Sequence, residues 1–451
     1  MKLALDPFDR SVLGIVLCLI AIIAGLLLLG DHVGAAVLGA APTAADHPAV
    51  TTAIRITFAQ PMDTASVEAH FAVEPPVGGH SHWDGNTFVF QPNRPLLPNT
   101  PYTLTLTADT LSLTGQRTLQ SAHWTISPRQ PRVLYLPQAG SSPLWSVAAD
   151  GSGAHELFTA PSGLQSFAPS PDGGQVALSV LGEGSRADLW LMNADGSGAH
   201  RALDCAPAIC TNPTWSPDGK LLAYERQEMA PTGQLGLNRV WLFDPASGET
   251  APAVPDSQML GFQPQWSPDG ARLAAYDPSV AGIRVVERAS GQSVVIPTWT
   301  GLMGSFAADG KAMVYSDAAP NDASDRTQLW IQWLDKADAR APLLNQSADD
   351  RSPSWSPDGA WIAFARRPLA PETRGGGQLA LYHVETGKVR QVTQDAEADY
   401  SDFQWDPNSR RILMQRIGLK SSQTGTEWWT YDLNGEKLSH LVDGLQARWI
   451  P

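Results

Sequence analysis

Carboxylates are the residues of this 451-residue chain that recur regularly enough to suggest chemistry. Asp172, Asp218, Asp269 and Asp358 each stand third in an S-P-D-G stretch, and Asp309 stands third in A-A-D-G. Such side chains can serve as general acids, general bases or calcium ligands. A second recurring stretch, ADGSGAH, occurs at Ala149–His155 and again at Ala194–His200. An acidic run, DAEADYSD, covers Asp395–Asp402, and the pair His80 and His82 would point the same way from a strand, as two metal ligands do. Cys205 and Cys210 could close a small loop as a disulfide in an oxidising compartment, with free thiols as the alternative.

Most of these readings weaken on inspection. Aspartates at the same place in every copy of a repeat read as turn-capping side chains, since a catalytic group is needed once. ADGSGAH lacks the spacing of a calcium ligand set and reads as a glycine hairpin. Two histidines, or two cysteines without further ligands nearby, are too few for a metal site. The G-x-S-x-G elbow of serine hydrolases is absent from the sequence. The chain is therefore expected to carry no catalytic residues, no metal and no cofactor.

The elements that hold these residues follow from the spacing. The Asp or Asn of the turns falls at 172, 218, 269, 309, 358 and 408, which gives intervals of 46, 51, 40, 49 and 50 residues. A period in the 40s with loop-sized variation predicts a β-propeller, each unit being a four-stranded blade. Within each unit an aromatic-led strand ends at the turn (Trp215, Trp266, Phe306, Trp355, Trp405), followed by an apolar strand such as LLAYE or WIAFAR. A third strand follows, often with tryptophan (LWLMN, VWLFD, LWIQW, WWTYD), and then a glycine turn and a fourth. Arg132–Phe158 supplies three strands of a blade but no first strand, and QARWIP at the other end supplies it, with Trp449 in the aromatic position. Seven blades are expected, closed by the two ends together, with six as the alternative.

These W-S-P-D-G-x-x-x-A units resemble the TolB-type propeller repeat, a WD40-like repeat also found beside the hydrolase domain of prolyl-oligopeptidase-like enzymes. The resemblance covers about 320 residues. It implies the fold and a protein-binding platform, without implying catalysis. Ahead of it, ITFAQPMD, FAVEPP, FVFQPNRPLLPNTPYTLTL and the final W-T-I resemble the bacterial Ig-like domain of the SbsA type. That resemblance implies a β-sandwich serving as a spacer or adhesion module.

Composition bounds the partners. Net charge is −14, with 31 Lys and Arg against 45 Asp and Glu, so a phosphate backbone would be repelled and nucleic acid is not expected. From Ser11 to Gly30 no charge occurs. As a helix this stretch would reach roughly 30 Å, the thickness of a bilayer core, longer than a signal-peptide apolar region. Lys2 and Arg10 precede it and no Lys or Arg follows until Arg55, which predicts a cytoplasmic N-terminus and an extracytoplasmic bulk.

The expected all-β order is thus a cytoplasmic tail (1–10), a transmembrane anchor (11–30), a tether (31–46), an Ig-like β-sandwich (47–128) and the propeller (131–451). In the propeller, short regular turns fall on one face of the disc and long irregular loops on the other, so the loop face is the expected binding face. Its candidates are Arg366, Arg367, Arg374 and Lys420 as a basic patch, with Asp399, Tyr400 and Asp402 beside it. The expected function is membrane-anchored binding or scaffolding through that face, toward an envelope protein or glycan. The alternative is a glycan lyase or hydrolase using carboxylates in the central funnel.

Overall fold

The computed structural model describes residues 7–30, 34–137, 143–182, 186–255, 260–318, 326–336, 339–344, 348–369, 375–420 and 425–451. They fall into two compact units, one up to Pro128 and one from Arg129 on, apart from the short segments 49–51 and 94–98.

Helix α1 spans Pro7–Gly30, with side chains described for residues 12–25. Among the described residues no helix is long and apolar enough to cross a membrane. The expected span, 11–30, runs past those side chains at both ends, so the described fold does not establish it. The side chains that are described, among them Ile15, Leu17 and Ile22, are exposed.

The first unit is a two-sheet sandwich. One sheet has the order β1 (Val37–Ala41), β2 (Ile54–Phe58), β5 (Thr87–Pro92), β4 (Gly79–Asp84), and the other β3 (Phe71–Glu74), β6 (Tyr102–Leu106), β7 (Ala122–Ile126). Alternation sets the core: Ile54, Ile56 and Phe58 of β2 are buried while Arg55 between them is exposed. Ile56, Phe58, Val67, Phe88 and Leu106 form one apolar cluster, with Asp63 capping the short helix α2 (Thr64–His70) by accepting from the Ser66 N–H at 2.8 Å. One boundary moves. Residues 31–46 read as a tether, yet β1 pairs antiparallel with β2 and Ala35 is in the core. Its sequence, VLGAA, is built of small residues whose alternation is too faint to read as a strand.

The second unit holds seven four-stranded blades among the described residues. Six are consecutive in sequence, and their first strands are Leu164–Pro169, Ala208–Trp215, Phe262–Trp266, Ser305–Phe306, Ala348–Trp355 and Ala398–Trp405, in blades 2 to 7. Blade 1 is composite. Its first strand, Gln446–Ile450, pairs antiparallel with Arg132–Leu136, which continues to Pro143–Ala148 and His155–Thr159. Apolar clusters join each blade to the next around the circle. Blade 1 meets blade 2 through Leu134, Leu136 and Phe167, and blade 7 meets blade 1 through Leu413, Trp428 and Val133. The ring is therefore closed by packing as well as by strand pairing.

The blade tryptophans add directed contacts. Trp215 Nε1 donates to the Ala168 carbonyl at 3.1 Å, Trp266 to Thr214 at 3.2 Å, Trp405 to Ser354 at 3.0 Å and Trp449 to Gln404 at 3.2 Å. In each case the indole reaches the first strand of the preceding blade. Trp355 departs from the pattern and donates to Gly359 in its own turn at 3.2 Å.

Candidate binding site

The repeated aspartates are turn staples. Ser170 Oγ donates to Asp172 Oδ1 at 2.5 Å, and the same oxygen accepts the Gly174 N–H at 3.0 Å. Asp218, Asp269 and Asp358 repeat both bonds within 2.5–3.2 Å, and Asp309, lacking the serine, keeps the backbone one at 3.0 Å. ADGSGAH behaves likewise in its two copies. Asp150 and Asp195 each accept the N–H two residues on at 2.9 Å and a serine hydroxyl at 2.6 Å, and Gly151 and Gly196 share a φ of 86°. Hydrogen bonds from Ser152 and Ser197 hold these two carboxyls below the usual carboxylate range. Cys205 and Cys210 are joined by a disulfide, with Cα atoms 6.1 Å apart. His80 and His82 share the exposed face of β4, and no group of three or more metal-ligating side chains exists among the described residues.

The candidate loop-face charges do not form a free patch. Arg366 is buried and grips Asp350 with two bonds, Nε–Oδ1 at 2.8 Å and Nη2–Oδ2 at 2.7 Å. Arg367 pairs with Asp349 at 2.8 Å, Lys420 with Glu397 and Asp399 with Arg351. Arg374 lies outside the described residues. Gly376 lets Asp399 in, since a Cβ there would come within 2.5 Å of the Asp399 Cα. Tyr400 is buried against Arg416, which also bridges Asp395 at 2.8 Å and Glu427 at 3.0 Å; burial raises the Tyr400 phenol above its ordinary value. These charges are thus neutralised within blade 6, within blade 7 and, at Arg351–Asp399, between the two. Adjacent acid and base runs in sequence signal a basic patch and a self-neutralising lattice equally well, and only side-chain placement separates them.

Asp402 goes elsewhere. With Arg448, 3.1 Å away, it lines a cavity of about 950 Å³ walled by the first strands of six blades and by Met303 and Gly304, just before the first strand of blade 5. Two rings of side chains recur there. Three residues before the blade aromatic stand Asn212, Gln263, Met303, Asp402 and Gln446, and one residue before it stand Thr214, Gln265, Ser354, Gln404 and Arg448. In four blades the position three before the aromatic is built on strained backbone: the lining residues Asn212, Gln263 and Asp402 have φ of 49°, 54° and 46°, and Ser352, at the same position in blade 6, has 53°. In each of these four blades the pairing register slips across that residue, so a β-bulge re-aims the side chain. Buried Glu225 secures two of them by accepting from Asn212 Nδ2 at 2.9 Å and the Gln263 N–H at 2.7 Å. The sequence carries a signal for these bulges in N-P-T-W, Q-P-Q-W, S-P-S-W and D-F-Q-W, with the bulged residue always three before Trp.

Exposed apolar side chains mark one face. In the described propeller, the exposed large apolar residues are Leu235 and Leu237 in blade 3, Phe262, Val280, Trp299 and Leu302 around blade 4, Leu369, Ile417 and Leu419 on blades 6 and 7, Leu445 before the closing strand, and Trp333. All but Trp333 lie on the loop face. Trp299 is 90% exposed, although its loop is pinned by Trp299 N–H to Asp317 at 2.8 Å and Thr300 Oγ1 to the Ser316 carbonyl at 2.9 Å.

No curated protein matches the chain in sequence. Among solved structures, TolB from Acinetobacter baumannii is similar at 13% identity and a TM-score of 0.41, over 85% of this chain and 83% of that one. The β-propeller domain of the Trilobed protease from Pyrococcus furiosus is similar at 12% identity and a TM-score of 0.45, over 77% and 93%. The oligogalacturonate lyase of Vibrio parahaemolyticus is similar at 12% identity and a TM-score of 0.49, over 70% and 86%. Residues 31–126 match the bacterial Ig-like domain family.

Proposed function

We propose that this chain is a membrane-anchored, non-catalytic binding protein of the cell envelope, with the propeller outside the cytoplasmic membrane and its loop face turned to a protein or glycan partner. The observation that carries this reading is the asymmetry of exposed apolar side chains on the propeller, with Trp333 alone off the loop face among the described residues of 131–451. Large apolar groups left in water cluster where a partner covers them. The charge-free stretch 11–30 supports the anchor, and the Cys205–Cys210 disulfide fits an oxidising compartment.

Binding is favoured over catalysis by the chemistry of the central cavity. Asp402 is the one carboxylate among its described lining residues, and it is paired with Arg448. Glycan hydrolysis needs two carboxyl groups facing the scissile bond. The reading is tested by purifying the full chain with its partners from detergent-solubilised envelopes. A partner should be retained by wild type and by Trp333→Glu but lost from the Leu237→Glu/Leu302→Glu double variant. Equal retention by all three would remove the loop face from the account.

A further inference from the structure

We infer that the loop-face mouth of the central cavity, with Phe262 and Trp299 exposed on the same face, is a binding site for a neutral glycan chain. The inference rests on the loop face being the binding face and names the ligand class and the place.

The lining decides the charge of the ligand. Apart from the Asp402–Arg448 pair, which neutralises itself, the wall carries amides, hydroxyls, prolines and indoles. A charged ligand would shed water there without a free counter-charge, at a cost that neutral ligands do not meet. The amide of Gln263 and the hydroxyls of Thr214 and Ser354 both donate and accept, which suits a ligand whose hydroxyls do the same, while Asn212 Nδ2 is engaged by Glu225 and Gln404 Nε2 by Asp402 and the Ala447 carbonyl.

The backbone disfavours an extended peptide. A strand-like guest would need free carbonyls on the first strands, but those of Ala168, Thr214, Ser354 and Gln404 are taken by indole N–H groups of the neighbouring blades. What remains is side-chain chemistry. The repeated bulge holds this chemistry in place, because strain of this kind is kept where the surrounding structure fixes a functional side chain.

The loop face supplies flat apolar surface. Phe262 is exposed and directly precedes the lining residue Gln263. Trp299 stands on the same face, in the connection that leads to the lining residue Met303. Its backbone is pinned by the Asp317 carboxylate, so the loop that carries the indole needs no reordering when a sugar ring stacks on it.

The test is calorimetric titration of the full chain in detergent with maltoheptaose, cellohexaose and chitohexaose. Tri-galacturonate and a Gly-Ser-Gln peptide serve as the charged and peptidic controls. At least one neutral oligosaccharide should bind with a Kd below about 1 mM. Trp299→Ala and Gln263→Ala should each weaken that binding about tenfold or more, while Trp333→Ala should not. Circular dichroism of each variant guards against misfolding. The inference is overturned if no neutral sugar binds, if only the acidic sugar or the peptide binds, or if Trp299→Ala binds as wild type does. Partner retention that still depends on Leu237 and Leu302 would then leave the loop-face reading standing without the glycan.

Discussion

Two aspartates near the loop and turn faces of blade 7 are set in opposite directions. Burial works against the charge of Asp395, but Arg416 and the Glu397 N–H outweigh it, and the carboxyl sits below its ordinary range. Asp406 takes the place of serine in the D-P-N-S turn, and burial lifts its carboxyl above that range despite the Arg410 and Arg411 N–H groups at 2.7 and 2.9 Å. The signs follow from proton linkage. The depressed Asp395 contributes stability that is present above its unfolded value and lost as pH falls through its folded value. The raised Asp406 costs stability once pH rises through its folded value. In urea unfolding at pH 7, Asp395→Asn should therefore be less stable than wild type and Asp406→Asn at least as stable. Both differences should shrink when the carboxyls are protonated, by about pH 2. A parallel contrast separates the candidate arginine from the candidate lysine. Arg366→Ala leaves Asp350 buried without its cation and should cost about 3–5 kcal/mol, whereas Lys420→Ala breaks an exposed pair and should cost under about 1 kcal/mol. Equal midpoints for these two variants in the same unfolding assay would mean that Arg366 is not held as described.

At the scale of the element, the repeated unit is a strand whose last aromatic reaches the blade before it. Trp405→Phe keeps an aromatic ring but removes part of the buried volume and the N–H bonded to the Ser354 carbonyl, so about 1–3 kcal/mol of stability should be lost. Trp355→Phe should cost less between blades, because that indole bonds within its own turn. A chemical-denaturation series over these two tryptophans checks the difference. This level was largely legible in the sequence, because Trp215, Ser216 and Asp218 recur as a unit and each has a local job: packing, hydroxyl donation and turn capping. The β-bulge three residues before Trp was spelled out at the same period, but positive φ at Gln263 and Ser352 has no local residue preference behind it. Nor could β1 be read, because VLGAA gains its strand from pairing with β2 rather than from its own pattern. The loop-face ion pairs were invisible for a different reason. Asp350 and Arg366 are on neighbouring strands, and register decides whether such charges face each other or solvent.

At the scale of the whole molecule, seven blades closed by Gln446–Ile450 against Arg132–Leu136 leave a ring with two unlike faces. One face is stapled by near-identical turns, and the other holds the bulged mouth of the cavity and the exposed apolar side chains. The blade count followed from Arg132–Phe158 and the Gln446–Pro451 segment, which complete one blade together. The loop face was expected from loop lengths, but its exposed Trp299 was not, because that side chain sits on a loop pinned by Asp317 from the next blade. The most direct measurement is photo-crosslinking in cells, with a benzophenone amino acid at Leu302 on the loop face and, separately, at Ser197 on the turn face. A discrete adduct from position 302 and none from 197 is the expected result. Adducts from 197 alone, or from neither position, would contradict a loop-face binding protein.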